Sequence, residues 1–319
     1  MKEREGIRIM TEIIDTVMIG AGPSALAAAV YTTREDIKTD LYEKAVVGGL
    51  AAITDQIDNY PGFPEGISGM QLAGDLEKQA KRFGANIKYG EVTDIRDESD
   101  RKVLVIDGSD VYAKTVLIAT GSDYNKLGIP GEAEFYGRGV HYCATCDGAF
   151  YRDQDIVVIG GGNSAIQEAI FLTRFAKKID LLVRSKIRAS EVLQKDLQKY
   201  IDSGQIVVHL ETAPLEIVGD ENGVSKILVK DATGDNEIVT NGVFVFIGLK
   251  PNTEFLKNTA IELDGIGLIK TDQNLQTSMP GVFASGDVRS GATMQIASAV
   301  GEGATAALSI RRYLEEKAI

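Results

Sequence analysis

The chain is 319 residues long, 44% hydrophobic and 25% charged, the balance of a folded globular protein with room for two domains of ordinary size. Its formal net charge of −12 argues against a nucleic-acid partner, whose phosphates call for a basic face. No apolar run approaches the roughly 20 residues needed to cross a bilayer.

The opening stretch, MKEREGIRIMTEII, carries charges but no continuous apolar segment and no small-residue cleavage site. No signal peptide is read there, and the chain is expected in the cytoplasm, where thiols are kept reduced.

Residues 15–44, DTVMIGAGPSALAAAVYTTREDIKTDLYEK, read as strand, glycine turn, helix with small residues on one face, and second strand. Residues 155–184, DIVVIGGGNSAIQEAIFLTRFAKKIDLLVR, repeat the unit without a gap, placing Gly20 on Gly160, Gly22 on Gly162, Ser24 on Ser164, Ala25 on Ala165 and Asp40 on Asp180. This is the βαβ unit of a dinucleotide-binding fold. The first glycine permits the tight turn, the second lets backbone approach a pyrophosphate, and the alanine keeps helix close to strand. The helix N-terminus then offers free N–H groups to phosphate. In the first copy the residues of this turn and helix start are Gly20, Gly22, Pro23 and Ser24. In the second they are Gly160, Gly162, Asn163, Ser164 and Ala165.

The second strands end differently. The first copy closes on Glu43 and Lys44, an acid placed to hold ribose hydroxyls, which suits FAD. The second has Val183 at that place, followed by Arg184, Ser185, Lys186, Ile187 and Arg188. A cationic stretch suits a 2′-phosphate, hence NADPH over NADH; the other reading is a solvated basic turn.

Between the copies, VLIATG (116–121) reads as a strand ending at Thr120 and Gly121. After the second copy, GVFASGDV (281–288) is a strand ending at Gly286 and Asp287. Asp287 is read as opening the helix MQIASAVGEGATAALSIRRYL, either as an acceptor for a polyol chain or as an N-cap. Turn-rich segments, GSDYNKLGIPG and GLKPNTEF, mark crossings near 122–125 and 247–252. The expected fold is α/β, with two Rossmann-like dinucleotide-binding domains of the three-layer ββα kind, the second inserted in the first. The boundaries are 1–123 and 250–319 for the first domain and 124–249 for the second.

Both cysteines of the chain, Cys143 and Cys146, stand in VHYCATCDGAFY (140–151), next to Asp147. Zinc needs about four ligands, and Cys143, Cys146, His141 and His209 are all the Cys and His available, with no carboxylate placed to help, so no metal is expected. A staple across so short a loop constrains the unfolded chain little. Redox chemistry is the remaining use of the pair. Asp147 is placed to exchange a proton with a departing sulfur, or else caps a turn. His141 reads as a structural histidine rather than a catalyst.

Taken together, GAGPSA, the acid closing the next strand, GGL, DNYPGFP, ATG, CATCD, GGGNSA, the basic turn and GVFASGDV with Gln295 resemble the low-molecular-weight thioredoxin reductases of bacteria and archaea, over nearly the whole chain. The resemblance implies an FAD domain built from both chain ends, a central pyridine-nucleotide domain bearing the cysteines, a homodimer, and thioredoxin or a thioredoxin-like protein as partner. It implies a rotation of the central domain that presents either the disulfide or the nicotinamide to the flavin. It adds Gly48, Gly49, Leu50, Asn59, Val92 and Ile296 to the FAD residues. It makes Cys146 the sulfur facing the flavin, Cys143 the sulfur attacking the partner disulfide, and Asp147 the acid–base group.

Four departures from the family pattern stand out. Leu50 replaces a glutamine, removing a side-chain amide near the flavin. VRSKIR shortens the phosphate pocket and lacks its leading His and one Arg. Met294 stands where Arg is common, and Ala149 where an aromatic residue often lines the partner's pocket, leaving Phe150 and Tyr151. The shortened pocket leaves NADH, ferredoxin or a reduced deazaflavin as alternative donors, although relatives without nucleotide use tend also to lose the glycine motif that is intact here. A reading of another class is a flavin-bearing redox sensor that does not turn over; Asp147 favours turnover, since a passive reporter needs no acid.

Overall fold

Each copy of the internal repeat folds as strand, helix and parallel strand in the computed structural model, which describes residues 12–54, 56–98 and 100–317. Most of the N-terminal stretch discussed above, Met1–Thr11, lies outside the described residues. In the first copy the elements are Ile13–Ile19, Pro23–Thr33 and Thr39–Glu43; in the second they are Asp155–Ile159, Asn163–Leu172 and Lys178–Val183.

The glycines act as the turn demands. Gly20 and Gly160 have φ of +94° and +145°. A Cβ would come 2.6 Å from the Ala119 carbonyl oxygen at the first and 2.4 Å from the Phe246 carbonyl oxygen at the second. Only glycine fits both the backbone and the space. Gly22 and Gly162 are extended N-cap residues with nothing within 4 Å of a would-be Cβ, and neither helix has a side-chain cap. Both helix N-termini therefore keep free N–H groups on an unobstructed face.

The chain divides into two compact units. One comprises the described parts of Met1–Asp123 and Pro251–Ile319; the other is Tyr124–Lys250. In the first, parallel strands run in the order Asn86–Tyr89, Thr39–Glu43, Ile13–Ile19, Ser109–Ile118, Val282–Ala284. The long strand Ser109–Ile118 also carries an antiparallel meander through Arg101–Ile106 to Val92–Glu98. Apolar residues fill both faces of this sheet. The first repeat helix packs closely against Ile296–Lys317, where a Cβ on Gly303 would lie 2.1 Å from the Ser24 carbonyl oxygen.

The second unit has a five-stranded parallel sheet in the order Ile206–Leu210, Lys178–Val183, Asp155–Ile159, Gly242–Val245, Val140–His141. An antiparallel three-stranded sheet, Ala213–Asp220, Gly223–Asp231 and Gly234–Val239, completes it. This is the expected architecture of two layered α/β units. Among the described residues no helix is long and apolar enough to cross a membrane.

One sequence expectation is corrected. Asp287 does not open the last helix, which begins at Ile296. Positive φ at Gly291 and Met294 breaks the intervening chain into turns.

Candidate functional site

The cysteine segment follows the edge strand Val140–His141 of the second unit. Cys143 is extended and caps the short helix Ala144–Asp147; a disulfide joins it to Cys146 across a Cα–Cα distance of 5.4 Å. The Cys146 N–H donates to Cys143 Sγ at 3.2 Å. Cys143 is half-buried and Cys146 exposed, as is Phe150 beyond them. Among the described residues no group of three or more His, Cys, Asp or Glu is gathered to hold a metal.

The neighbouring side chains are anchored on both sides of the backbone. Tyr142 donates to Glu132 Oε1 at 2.7 Å, and the same carboxylate accepts the N–H groups of Leu127 and Gly128. Burial, then the hydrogen bond with Glu132, pushes the Tyr142 phenol above its ordinary value, so it stays a donor. On the other side His141 Nδ1 lies 3.2 Å from Asp147 Oδ2, and His141 Nε2 lies 2.6 Å from the Tyr151 hydroxyl.

In the first unit a cleft of about 370 Å³ opens at the carboxyl ends of the parallel strands. Of the expected FAD residues, Gly20, Gly22, Pro23, Ser24, Glu43, Lys44, Gly49, Leu50, Thr120, Gly121, Gly286, Asp287, Gln295 and Ile296 line it. Glu43 is buried and aimed by two backbone donors, the Ala21 N–H to Oε2 and the Ala45 N–H to Oε1, each at 2.8 Å. Asp287 carries a buried carboxylate oxygen, Oδ1, with no hydrogen-bond partner. Burial, with the Glu302 carboxylate nearby, pushes its pKa up to about 6. An orphaned acceptor, an aimed acid and an open helix N-terminus together fit a dinucleotide with a polyol chain.

Three expected members lie off that wall. Val92 is buried in the core, with Ile95, Leu104 and Ile106 in the same cluster. Gly48, at φ +99°, has Ala73 where a Cβ would sit and serves the turn. Asn59 instead donates to the side chain of Gln295 at 3.0 Å. Residues not foreseen also line the cleft, among them Ser122, Asn252 and Ser285. Asn252 donates to the Thr120 carbonyl at 3.0 Å, and the Ser285 and Ser24 hydroxyls are 2.6 Å apart. SGD in GVFASGDV was the available signal for Ser285; Asn252 sits in a turn with none.

The second unit has its own cleft, of about 590 Å³. All the expected nucleotide residues line it: Gly160, Gly162, Asn163, Ser164, Ala165, Arg184, Lys186 and Arg188. The three cations are exposed, and none pairs with a carboxylate among the described residues. The Arg188 N–H donates to the Gly161 carbonyl at 2.6 Å, folding the basic turn back onto the glycines, and the Ser190 N–H donates to Asn163 Oδ1 at 2.9 Å. Distant stretches, Asn125–Leu127, Thr212–Pro214 and Phe246–Gly248, complete the wall.

Comparison with known proteins matches residues 14–303 to the pyridine nucleotide-disulphide oxidoreductase family. The thioredoxin reductase of Bacillus subtilis is 40% identical over 309 residues, 96% of either chain. The crystal structure of thioredoxin reductase from Streptococcus pyogenes superposes with a TM-score of 0.90 at 40% identity, covering 95% of this chain and 99% of that one. The thioredoxin reductase from Giardia duodenalis gives 0.89 at 31% identity, covering 96% of this chain and all of the other.

Proposed function

The chain belongs to the pyridine nucleotide-disulphide oxidoreductases and, within them, to the low-molecular-weight thioredoxin reductases, and from that premise we propose that it passes electrons from NADPH through FAD and the Cys143–Cys146 disulfide to thioredoxin or a thioredoxin-like protein. The observation that carries this reading is the disulfide itself, held at a strand end beside a carboxylate in a chain with two dinucleotide-shaped clefts.

FAD, when bound in the first cleft, supplies the two-electron chemistry that opens the disulfide. Gly22 and the helix N-terminus behind it would face its pyrophosphate, Glu43 its ribose hydroxyls, and Asp287 Oδ1 would accept from its polyol. In the second cleft Gly160 and Gly162 would take the NADPH pyrophosphate. Arg184 and Arg188, with Lys186, would hold the 2′-phosphate.

In the dithiol form the Cys143 thiolate attacks one sulfur of the partner disulfide, forming a mixed disulfide and breaking the partner's S–S bond. Asp147 gives a proton to the departing sulfur. The Cys146 thiolate then attacks Cys143 Sγ, releasing the second partner thiolate, which takes up a proton, and restoring Cys143–Cys146. The enzyme pair is oxidised by two electrons and the partner disulfide is reduced by two. Association as a homodimer in the cytoplasm goes with this reading.

The test is anaerobic addition of NADPH, NADH and reduced ferredoxin in parallel to the flavin-loaded protein, followed by oxidised thioredoxin. Bleaching by NADPH with formation of thioredoxin thiols supports the proposal. Bleaching by ferredoxin alone replaces the donor, and bleaching without thiol formation favours a sensor.

A further inference from the structure

The sequence makes His141 look structural, and the structure does bury it and engage both ring nitrogens. One of those partners is the carboxylate assigned the acid–base work. The third member, Tyr151, is set in place by packing. Its ring meets His141 edge-on at 5.3 Å and Phe244 edge-on at 5.3 Å. It lies over Gly242, where a Cβ would come 2.3 Å from the tyrosine ring. Strand pairing puts His141 directly opposite Phe244, ring to ring at 5.1 Å.

The protons of this chain follow from its chemistry. Burial first, and the Asp147 carboxylate second, push the Tyr151 phenol above its ordinary value, so it keeps its proton. The only hydrogen-bond partner of the Tyr151 hydroxyl among the described residues is His141 Nε2, at 2.6 Å. The phenol therefore donates to Nε2, and a neutral imidazole accepting there carries its hydrogen on Nδ1. That Nδ1–H faces Asp147 Oδ2. Moving the carboxyl proton to Oδ2 would reverse the tautomer and turn the phenol hydrogen away from its acceptor, leaving a buried donor unpaired.

Resting on the disulfide-reductase reading above, we propose that His141 is a positioning residue: its Nδ1–H holds Asp147 Oδ2, Tyr151 fixes the tautomer, and the proton exchanged with the cysteine sulfurs is carried on Asp147 Oδ1 alone. The surroundings leave these groups in charge. Strand Gly242–Val245 brings no ionisable side chain. Helix Asn163–Leu172, packed on the cysteine turn, carries Glu168, a half-buried carboxyl raised by burial. Arg152 and Arg174 lie over Phe175 and Phe171.

The chain has two histidines, which makes the tautomer directly readable. In the ¹⁵N-histidine spectrum of the flavin-loaded protein, one neutral ring carries its proton on Nδ1 and Tyr151→Phe perturbs it. The other is His209, whose Nε2 lies 2.8 Å from Asp180 Oδ1 and carries the proton there. His141→Phe lowers kcat with thioredoxin about tenfold, the worth of one hydrogen bond to a charged group, leaves KM unchanged and displaces the pH profile of kcat. His141→Asn, whose amide replaces the Nδ1 donor, restores both. Added to Asp147→Asn, His141→Phe slows turnover no further. The rate of iodoacetamide alkylation of the dithiothreitol-reduced protein, followed against pH, is displaced by His141→Phe and returned by His141→Asn; this readout needs no turnover.

A His141 ring protonated on Nε2, an unchanged kcat and alkylation profile in a folded His141→Phe protein, or a defect that His141→Asn leaves in place would each overturn the proposal. A wild-type protein that fails to reduce any protein disulfide overturns the functional reading instead, and the tautomer spectrum and alkylation profile then decide the positioning role.

Discussion

The two copies of the repeat share a backbone and differ at the far ends of their second strands. Both first glycines are closed in by a carbonyl oxygen, both second glycines are open, and Ala25 and Ala165 are both fully buried under their strands. The buried aspartates are also equivalent. Asp40 takes Asn86 and Lys88 from the next strand, while Asp180 takes His209 from the next strand and Lys178 from its own. Beyond Glu43 and Val183 the likeness stops. The first copy ends on an acid held by two backbone N–H groups, the second on an apolar residue followed by three exposed cations without carboxylate partners among the described residues. Both copies leave a helix end open to a phosphate, and on the proposed reading a handful of side chains at the strand end decides which nucleotide is held.

The strongest way to break the comparison is at the shared glycines. Gly160→Val forces a side chain into the Phe246 carbonyl at positive φ. It should weaken reduction by NADPH by at least about 3 kcal/mol, roughly 100-fold, while FAD content and reduction by dithionite persist. Gly20→Val should instead yield protein without flavin, seen in its visible absorbance.

Next is Asp287, which has no counterpart in the second copy. Its carboxyl is raised to about 6, so its contribution to stability is fully present below the unfolded carboxylate range and is lost as pH rises through about 6. Flavin-free protein should therefore unfold more readily at pH 7 than at pH 5, by about 1.3 kcal/mol from this group. Asp287→Asn should flatten that dependence, and added FAD should restore stability at neutral pH. Denaturant melts at the two pH values check all three.

At the second strand end, Arg184→Ala should raise the KM for NADPH about tenfold, since a charge-assisted contact is worth about 1.5–3 kcal/mol. The KM for NADH should hardly move. The smallest effect is that of salt, which should weaken NADPH more than NADH because the cations are exposed.

The repeat was legible because its glycines and small residues are imposed by backbone geometry, which leaves the same mark in both copies. The cationic turn was legible because it is continuous in the chain. What the sequence did not disclose came from strand ends brought together by sheet order: Asn252 beside Thr120, or Thr212–Pro214 beside Arg184. Val92 was expected at the cofactor, but it is one of two buried side chains on a largely exposed strand and packs in the core. The His141–Asp147–Tyr151 chain was hidden for a third reason. It depends on a short helical turn folding Asp147 back toward the strand that precedes it, and no spacing rule encodes that contact.

The most direct measurement is a thiol count after anaerobic addition of a small excess of NADPH to the flavin-loaded protein, by denaturation and alkylation. If electrons run from the second cleft through flavin to the cysteine pair, flavin absorbance falls and Cys143 and Cys146 both become labelled. Oxidised thioredoxin added before the quench then removes the label from both. A flavin that dithionite bleaches but NADPH leaves oxidised, with neither cysteine labelled, would contradict that route.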